Sequence, residues 1–171
     1  MTDKGLVVRI RSDWRGVIAE ACSMSSVPPT FLGALIANES GGKAAAKRFE
    51  PVVYKRLCAV RDGRRARYGS IHMESLKEAS EDLLNLYASS LGLTQIMGYH
   101  VLNHLPHKPE ELFDPYFNLK MACWLLAEFA ERFGLDVTKE FEQMFRCWNT
   151  GQPDGKTFDP DYVFKGLKRM S

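Results

Sequence analysis

Between Asp114 and Phe133 the chain carries the run that most limits how it can fold. Leu119, Met121, Ala122, Trp124, Leu125, Leu126, Phe129 and Ala130 lie nearly all round a helix in this stretch. Asp114 supplies a capping carboxylate and Pro115 a pre-set first turn. A helix that is apolar on almost every side has to be covered by protein, so it is expected at the centre of the molecule. At about 1.5 Å per residue it spans roughly 28 Å, close to the width of a small domain. The other helices are expected to pack around it. A length of 171 residues suits one such body, residues 1–171, and the balance of 45% hydrophobic to 26% charged residues is that of an ordinary globular protein.

Shorter amphipathic segments flank this axis. Ser12 or Asp13 can cap a helix bearing Trp14, Val17, Ile18, Ala21 and Cys22, which ends before Pro28-Pro29. The two prolines open the next helix, with Phe31, Leu32, Leu35 and Ile36 on one stripe. Further helices are predicted at about Met73–Tyr87, Gln95–Asn103, Thr138–Trp148 and Pro160–Met170; the last aligns Tyr162, Phe164, Leu167 and Met170. Residues 43–70 break the helical pattern. Phe49-Glu50-Pro51-Val52-Val53-Tyr54 has extended character, and Arg61 to Gly69 is polar and rich in turn residues. The fold class is mainly α, with at most a small sheet or hairpin near 49–70.

One carboxylate sits against this logic. Glu39 follows Leu35 by four and Ile36 by three, which places it on the apolar stripe of its helix, facing the interior or a cleft. Ser40-Gly41-Gly42 stops the helix there, so Glu39 lies at the negative end of the macrodipole. Desolvation and dipole both favour the neutral acid, the state required to donate a proton near neutral pH. A Glu turned outward at the helix end is the competing reading.

Three segments place glycine and polar groups where a packing helix wants neither: Asn38-Glu39-Ser40-Gly41-Gly42, Gly92-Leu93-Thr94-Gln95-Ile96-Met97-Gly98 and Cys147-Trp148-Asn149-Thr150-Gly151. In this order they resemble the motifs of the lysozyme-like superfamily. Goose-type lysozymes and soluble lytic transglycosylases carry E-S, then G-L-M-Q-I, then A-Y-N followed by G. Phe49-Glu50 and Tyr54 resemble, more narrowly, a bacterial and phage N-acetylmuramidase branch. The resemblance covers about residues 28–168 and implies a lysozyme-like α+β catalytic domain with its central helix at about 115–133.

It also implies that Glu39 is the catalytic acid, protonating the glycosidic oxygen between N-acetylmuramic acid and N-acetylglucosamine. Ser40, Thr94, Gln95, Tyr99, Trp148 and Asn149 are the implied substrate-binding set. Trp148 and Cys147 stand where the pattern has Tyr and Ala, so a phenolic hydroxyl near the acid is expected to be missing. Thr94 stands in the place of Met and could offer its hydroxyl to the cleft.

Mechanism turns on a second carboxylate. Retaining glycosidases hold it about 5.5 Å from the acid and inverting ones about 6.5–9.5 Å away, whereas a transglycosylase lets the substrate's own 6-hydroxyl attack. Glu50 is the leading candidate, with Asp154 and Glu74 behind it; hydrolysis by a muramidase is the preferred reading, transglycosylation the alternative. A non-catalytic module gripping peptidoglycan or a protein is the alternative from another class. Proton transfer and charge stabilisation suffice for glycoside cleavage, so no cofactor is expected.

The partner is expected to be peptidoglycan glycan strands, met by a monomer. With 23 basic against 21 acidic residues the formal charge is +2, too small to call for nucleic acid, although Arg61 to Arg67 is locally basic. No stretch reaches transmembrane length, and the first residues lack the apolar core and cleavage site of a signal peptide. The expectation is synthesis in the cytoplasm and action on the bacterial cell wall, as by a phage endolysin released with a holin-type partner. His100 and His104 are spaced as metal ligands can be, but no H-E-x-x-H pattern accompanies them, and no metal site is expected. Four dispersed cysteines without C-x-x-C spacing read as free thiols.

Overall fold

The computed structural model describes residues 2–104 and 106–171. Helix α6, Pro115–Phe133, is its axis: Asp114 caps it, accepting from Phe117 N at 2.8 Å, and Gly134 ends it in a left-handed conformation. Leu119, Ala122 and Leu126 are fully buried, and α6 packs against α2 (Arg15–Ser23) and α7 (Phe141–Thr150). The expected all-round burial fails at Trp124, which is half exposed and rests on the His104 ring.

Helix α3, Pro29–Glu39, lies in the same core. Seven consecutive residues, Phe31 to Ala37, are buried, and the Phe31 ring stands 4.4 Å from that of Phe145 on α7. Helix α8, Tyr162–Arg169, covers α3 and α7 from outside. Its inward face differs from the expected stripe. Tyr162, Val163 and Gly166 are buried, while Phe164 and Leu167 face water. Gly166 explains the rotation: a Cβ there would stand 2.6 Å from the Phe145 ring, so only glycine lets α8 approach along that side.

Two helices fall where none was expected. Helix α1, Asp3–Asp13, begins on Thr2, whose side chain accepts from Gly5 N at 3.2 Å; it buries only Val7 and Ile10, too thin a stripe to stand out in the sequence. Helix α4, Pro51–Arg61, replaces most of the extended stretch expected at 49–54. Proline's fixed φ suits a helix start as well as an extended chain, and Leu57 and Val60 bury its inner side. The helix expected at 73–87 is broken into a 3-10 turn, Met73–Ser75, and α5, Glu81–Tyr87, capped by Ser80. The one expected at 95–103 is a strand followed by a 3-10 turn, Gly98–Asn103.

The strands are short. β1 (Lys47–Phe49), β4 (Ser89–Leu91) and β5 (Ile96–Met97) form an antiparallel sheet in the order β1-β4-β5, with Lys47 opposite Leu91 and Ser90 opposite Met97. A second pair, β2 (Arg67–Tyr68) and β3 (Ile71–His72), makes a hairpin. The main sheet therefore draws two of its three strands from 89–97, beyond the region expected, and it carries that segment to the C-terminal end of α3. Among the described residues no helix is long and apolar enough to cross a membrane.

Candidate active site

Glu39 is the last residue of α3 and is only partly accessible to solvent. Burial pushes its carboxyl up from 4.5 to about 7, against two opposing effects: a hydrogen bond donated by the Tyr162 hydroxyl and the positive charge of Arg48. Near neutral pH the group is therefore close to half protonated. Tyr162, itself buried and facing a carboxylate, is held well above the ordinary phenol value and stays a donor. The phenolic hydroxyl missing at position 148 is thus supplied from α8. Sequence reasoning missed it because Tyr162 lies 123 positions from Glu39, in an apolar stripe with nothing local to announce the pairing.

The residues beside Glu39 lock the helix end. Ser40 Oγ donates to the Leu93 carbonyl at 2.6 Å and accepts from Gly42 N at 3.2 Å, which joins the first motif to the second. Asn38 Nδ2 donates to the Tyr162 carbonyl at 3.0 Å, and its Oδ1 accepts from Arg169 at 2.7 Å.

The second motif is a tight turn with little tolerance. Gly92 has φ +77°, and a Cβ there would meet the Leu112 carbonyl at 2.2 Å; at Gly98 it would meet the Leu86 carbonyl at 2.1 Å. Between them Gln95 has φ +55°, the left-handed region that side chains other than glycine rarely adopt, and it is the sole non-glycine of this kind among the described residues. Its Nε2 holds the turn closed, donating to Gly92 O at 3.0 Å and Ala46 O at 3.2 Å. Its Oε1 accepts from no described residue.

Thr94 differs from expectation. It is fully buried, and its backbone N and hydroxyl both donate to Asn118 Oδ1, at 3.0 and 2.7 Å. Its hydroxyl faces the interior rather than a cleft. Asn118 completes the arrangement by donating from Nδ2 to Leu91 O and Leu112 O, so one buried amide on α6 spends both its ends on the turn. The signal for this hub was a lone amide inside the apolar run of α6.

Gln95 and Trp148 meet across a cavity of about 90 Å³ that is also lined by Met97, His100, Leu125 and Phe129. Tyr99 is half-buried, packed edge-on against Tyr68 at 5.5 Å, and burial raises its phenol. Asn149 is exposed at the end of α7, next to the left-handed Gly151. Glu50 caps α4 with its backbone, and its carboxylate accepts from Arg48 Nε at 2.7 Å with a third of its side chain exposed. The structure therefore gathers Glu39, Ser40 and the 92–98 turn in one place and sets Gln95 beside Trp148. Thr94 lies inside, and Glu50 is engaged in a surface ion pair.

His100, His104 and His107 diverge. His100 packs on Tyr99, His104 on Trp124, and His107 on Phe117 with its Nδ1 3.1 Å from Glu111 Oε1. Burial lowers His100 to about 4, so it is neutral at physiological pH. All four cysteines are free.

No curated protein and no solved structure matches the chain. A family model does: that of the transglycosylase SLT domain, over residues 16–153, a span that runs from within α2 to just past α7 and leaves α1 and α8 outside. The match covers most of the sequence and contains all three motifs, and the chain belongs to the transglycosylase SLT domain family.

Proposed function

We propose that this domain cleaves the β-1,4 bond between N-acetylmuramic acid and N-acetylglucosamine in peptidoglycan, with Glu39 as the general acid, and that it does so by transglycosylation. The supporting observation is a single carboxyl, desolvated and pushed up to about 7, placed beside the turn that bears Gln95. Burial raises the Glu39 carboxyl against the Tyr162 hydroxyl and the Arg48 charge. One acid suffices when the substrate provides the nucleophile. Glu39 protonates the glycosidic oxygen as the bond to C1 of the muramic residue breaks. The resulting carboxylate then takes the proton of the C6 hydroxyl as that oxygen closes on C1, which leaves a 1,6-anhydro end and restores the acid.

Hydrolysis with Glu50 as base is the second reading. It is favoured by one contact: Arg48, whose charge acts on Glu39, also binds the Glu50 carboxylate. Mass spectrometry of fragments released from purified cell walls separates the two. Anhydro ends support transglycosylation, reducing muramic ends support hydrolysis, and release of neither by the wild-type protein at pH 5–7 overturns both.

A further inference from the structure

The brace behind Tyr162 is built from the two helices outside the family match. Arg169, at the end of α8, donates from Nε and Nη2 to Asp3 Oδ1 on α1, at 2.9 and 2.7 Å, and from Nη1 to Asn38 Oδ1 on α3 at 2.7 Å. One guanidinium thus uses its whole fork across three helices. Its side chain is only 15% exposed, so solvent screens the pair less than an ordinary surface bridge. Arg11 on α1 adds a second tie, its Nη2 donating to the carbonyls of Arg169 and Met170 at 3.2 and 2.9 Å. These are carbonyls that a helix end leaves without partners. At the other end of α8, Asn38 holds the Tyr162 carbonyl. Helix α8 is pinned at its first and last residues, and one of its pins is the neighbour of Glu39.

We infer that Arg169 is a positioning residue, which clasps α1 and α3 to α8 and so keeps the Tyr162 hydroxyl on the Glu39 carboxyl. The inference rests on the reading of Glu39 as the acid. The charged and titratable groups that face Glu39 are Tyr162 on α8 and Arg48 on β1. From α1, Arg9 is turned to the Gly41 carbonyl at 2.8 Å and Asp3 is taken up by Arg169. Loosening the clasp removes the donor that stabilises the Glu39 carboxylate, which moves its titration upward.

The test follows the Glu39 carboxyl by NMR in full-length protein, alongside the pH profile of cell-wall clearing. Arg169→Gln is expected to shift the titration in the same direction as Tyr162→Phe and by no more, a roughly 3- to 10-fold change in acid dissociation. The double variant is expected to shift no further than Tyr162→Phe alone, and Arg169→Lys to recover part of the change. The basic limb of the Arg169→Gln clearing profile moves upward with the titration, through kcat and with KM unchanged. An Arg169 that merely holds the fold lowers the melting temperature and leaves the titration where it was. That result overturns the inference, as does full additivity with Tyr162→Phe. Should Arg169→Gln not fold, Asp3→Asn carries the same comparison. If wild type clears no walls, the function proposed above falls, while the titrations still decide the clasp.

Discussion

The end of α3 and the head of α4 each carry a glutamate eleven positions apart, and they differ in what surrounds it. Glu39 closes a helix whose residues from Phe31 to Ala37 are buried, and its carboxyl meets a phenol. Glu50 opens a helix on the surface, and its carboxylate is matched by Arg48 in partial contact with solvent. The same side chain is pushed up to about 7 by burial in one place and is a solvated half of an ion pair in the other. Environment, rather than residue type, sets how tightly the carboxyl holds its proton.

The sharpest way to break this contrast is to neutralise each in turn. Glu39→Gln is expected to lower cell-wall clearing by about 10³-fold, within the range for loss of a general acid. Glu50→Gln is expected to change it by less than about 5-fold, since an exposed ion pair contributes about 1 kcal/mol at most. Dye release from labelled walls reads both, and equal losses would put the two carboxylates on one footing.

The frame that holds the Glu39 side is tested at Asn118. Asn118→Leu strands the Thr94 donors and the Leu91 and Leu112 carbonyls in the core, and is expected to cost about 3 kcal/mol in urea unfolding. A cost under 1 kcal/mol would mean that the turn stands without it.

A pH series reads the burial of Glu39 directly. Below pH 4.5 folded and unfolded chains both keep the proton, and burial brings no ionisation penalty. As pH rises through about 7 the unfolded state ionises first, and folding loses up to about 3 kcal/mol by pH 8. Glu39→Gln escapes that loss, so the variant should be more stable than wild type at pH 8 and not at pH 4. No crossover in denaturant midpoints would mean that Glu39 is solvated.

The smallest effect is expected at Arg48→Met. Removing a charge that favours the carboxylate moves the basic limb of the clearing profile upward by a few tenths of a pH unit. A downward move would place Arg48 on the other side of the balance.

The Glu39 side of this contrast was legible beforehand. The apolar runs of α3 and α6 declared their burial by spacing, and Glu39 on the α3 stripe followed from the same count. What stayed hidden depended on close approach or on distant pairing. Pro51 reads equally as extended chain or as a first helical turn, and only the buried Leu57 and Val60 decide for the helix. The face of α8 was misjudged because a glycine, invisible to hydrophobic periodicity, sets which side can touch the Phe145 ring. Thr94 was assigned outward because nothing in its own segment announces a partner on α6. Tyr162 could be paired with Glu39 only once α8 had been laid across α3.

The backbone at Gln95 puts durability and use in opposition. A glycine there would sit in its left-handed geometry without strain, and would be the first exchange made by anyone seeking a hardier protein. It would also delete the amide that ties Gly92 to Ala46 and remove a side chain that lines the Trp148 cavity. Position 95 is therefore where thermal improvement and the proposed activity would part company, and a stabilised variant obtained there should be assayed before it is kept.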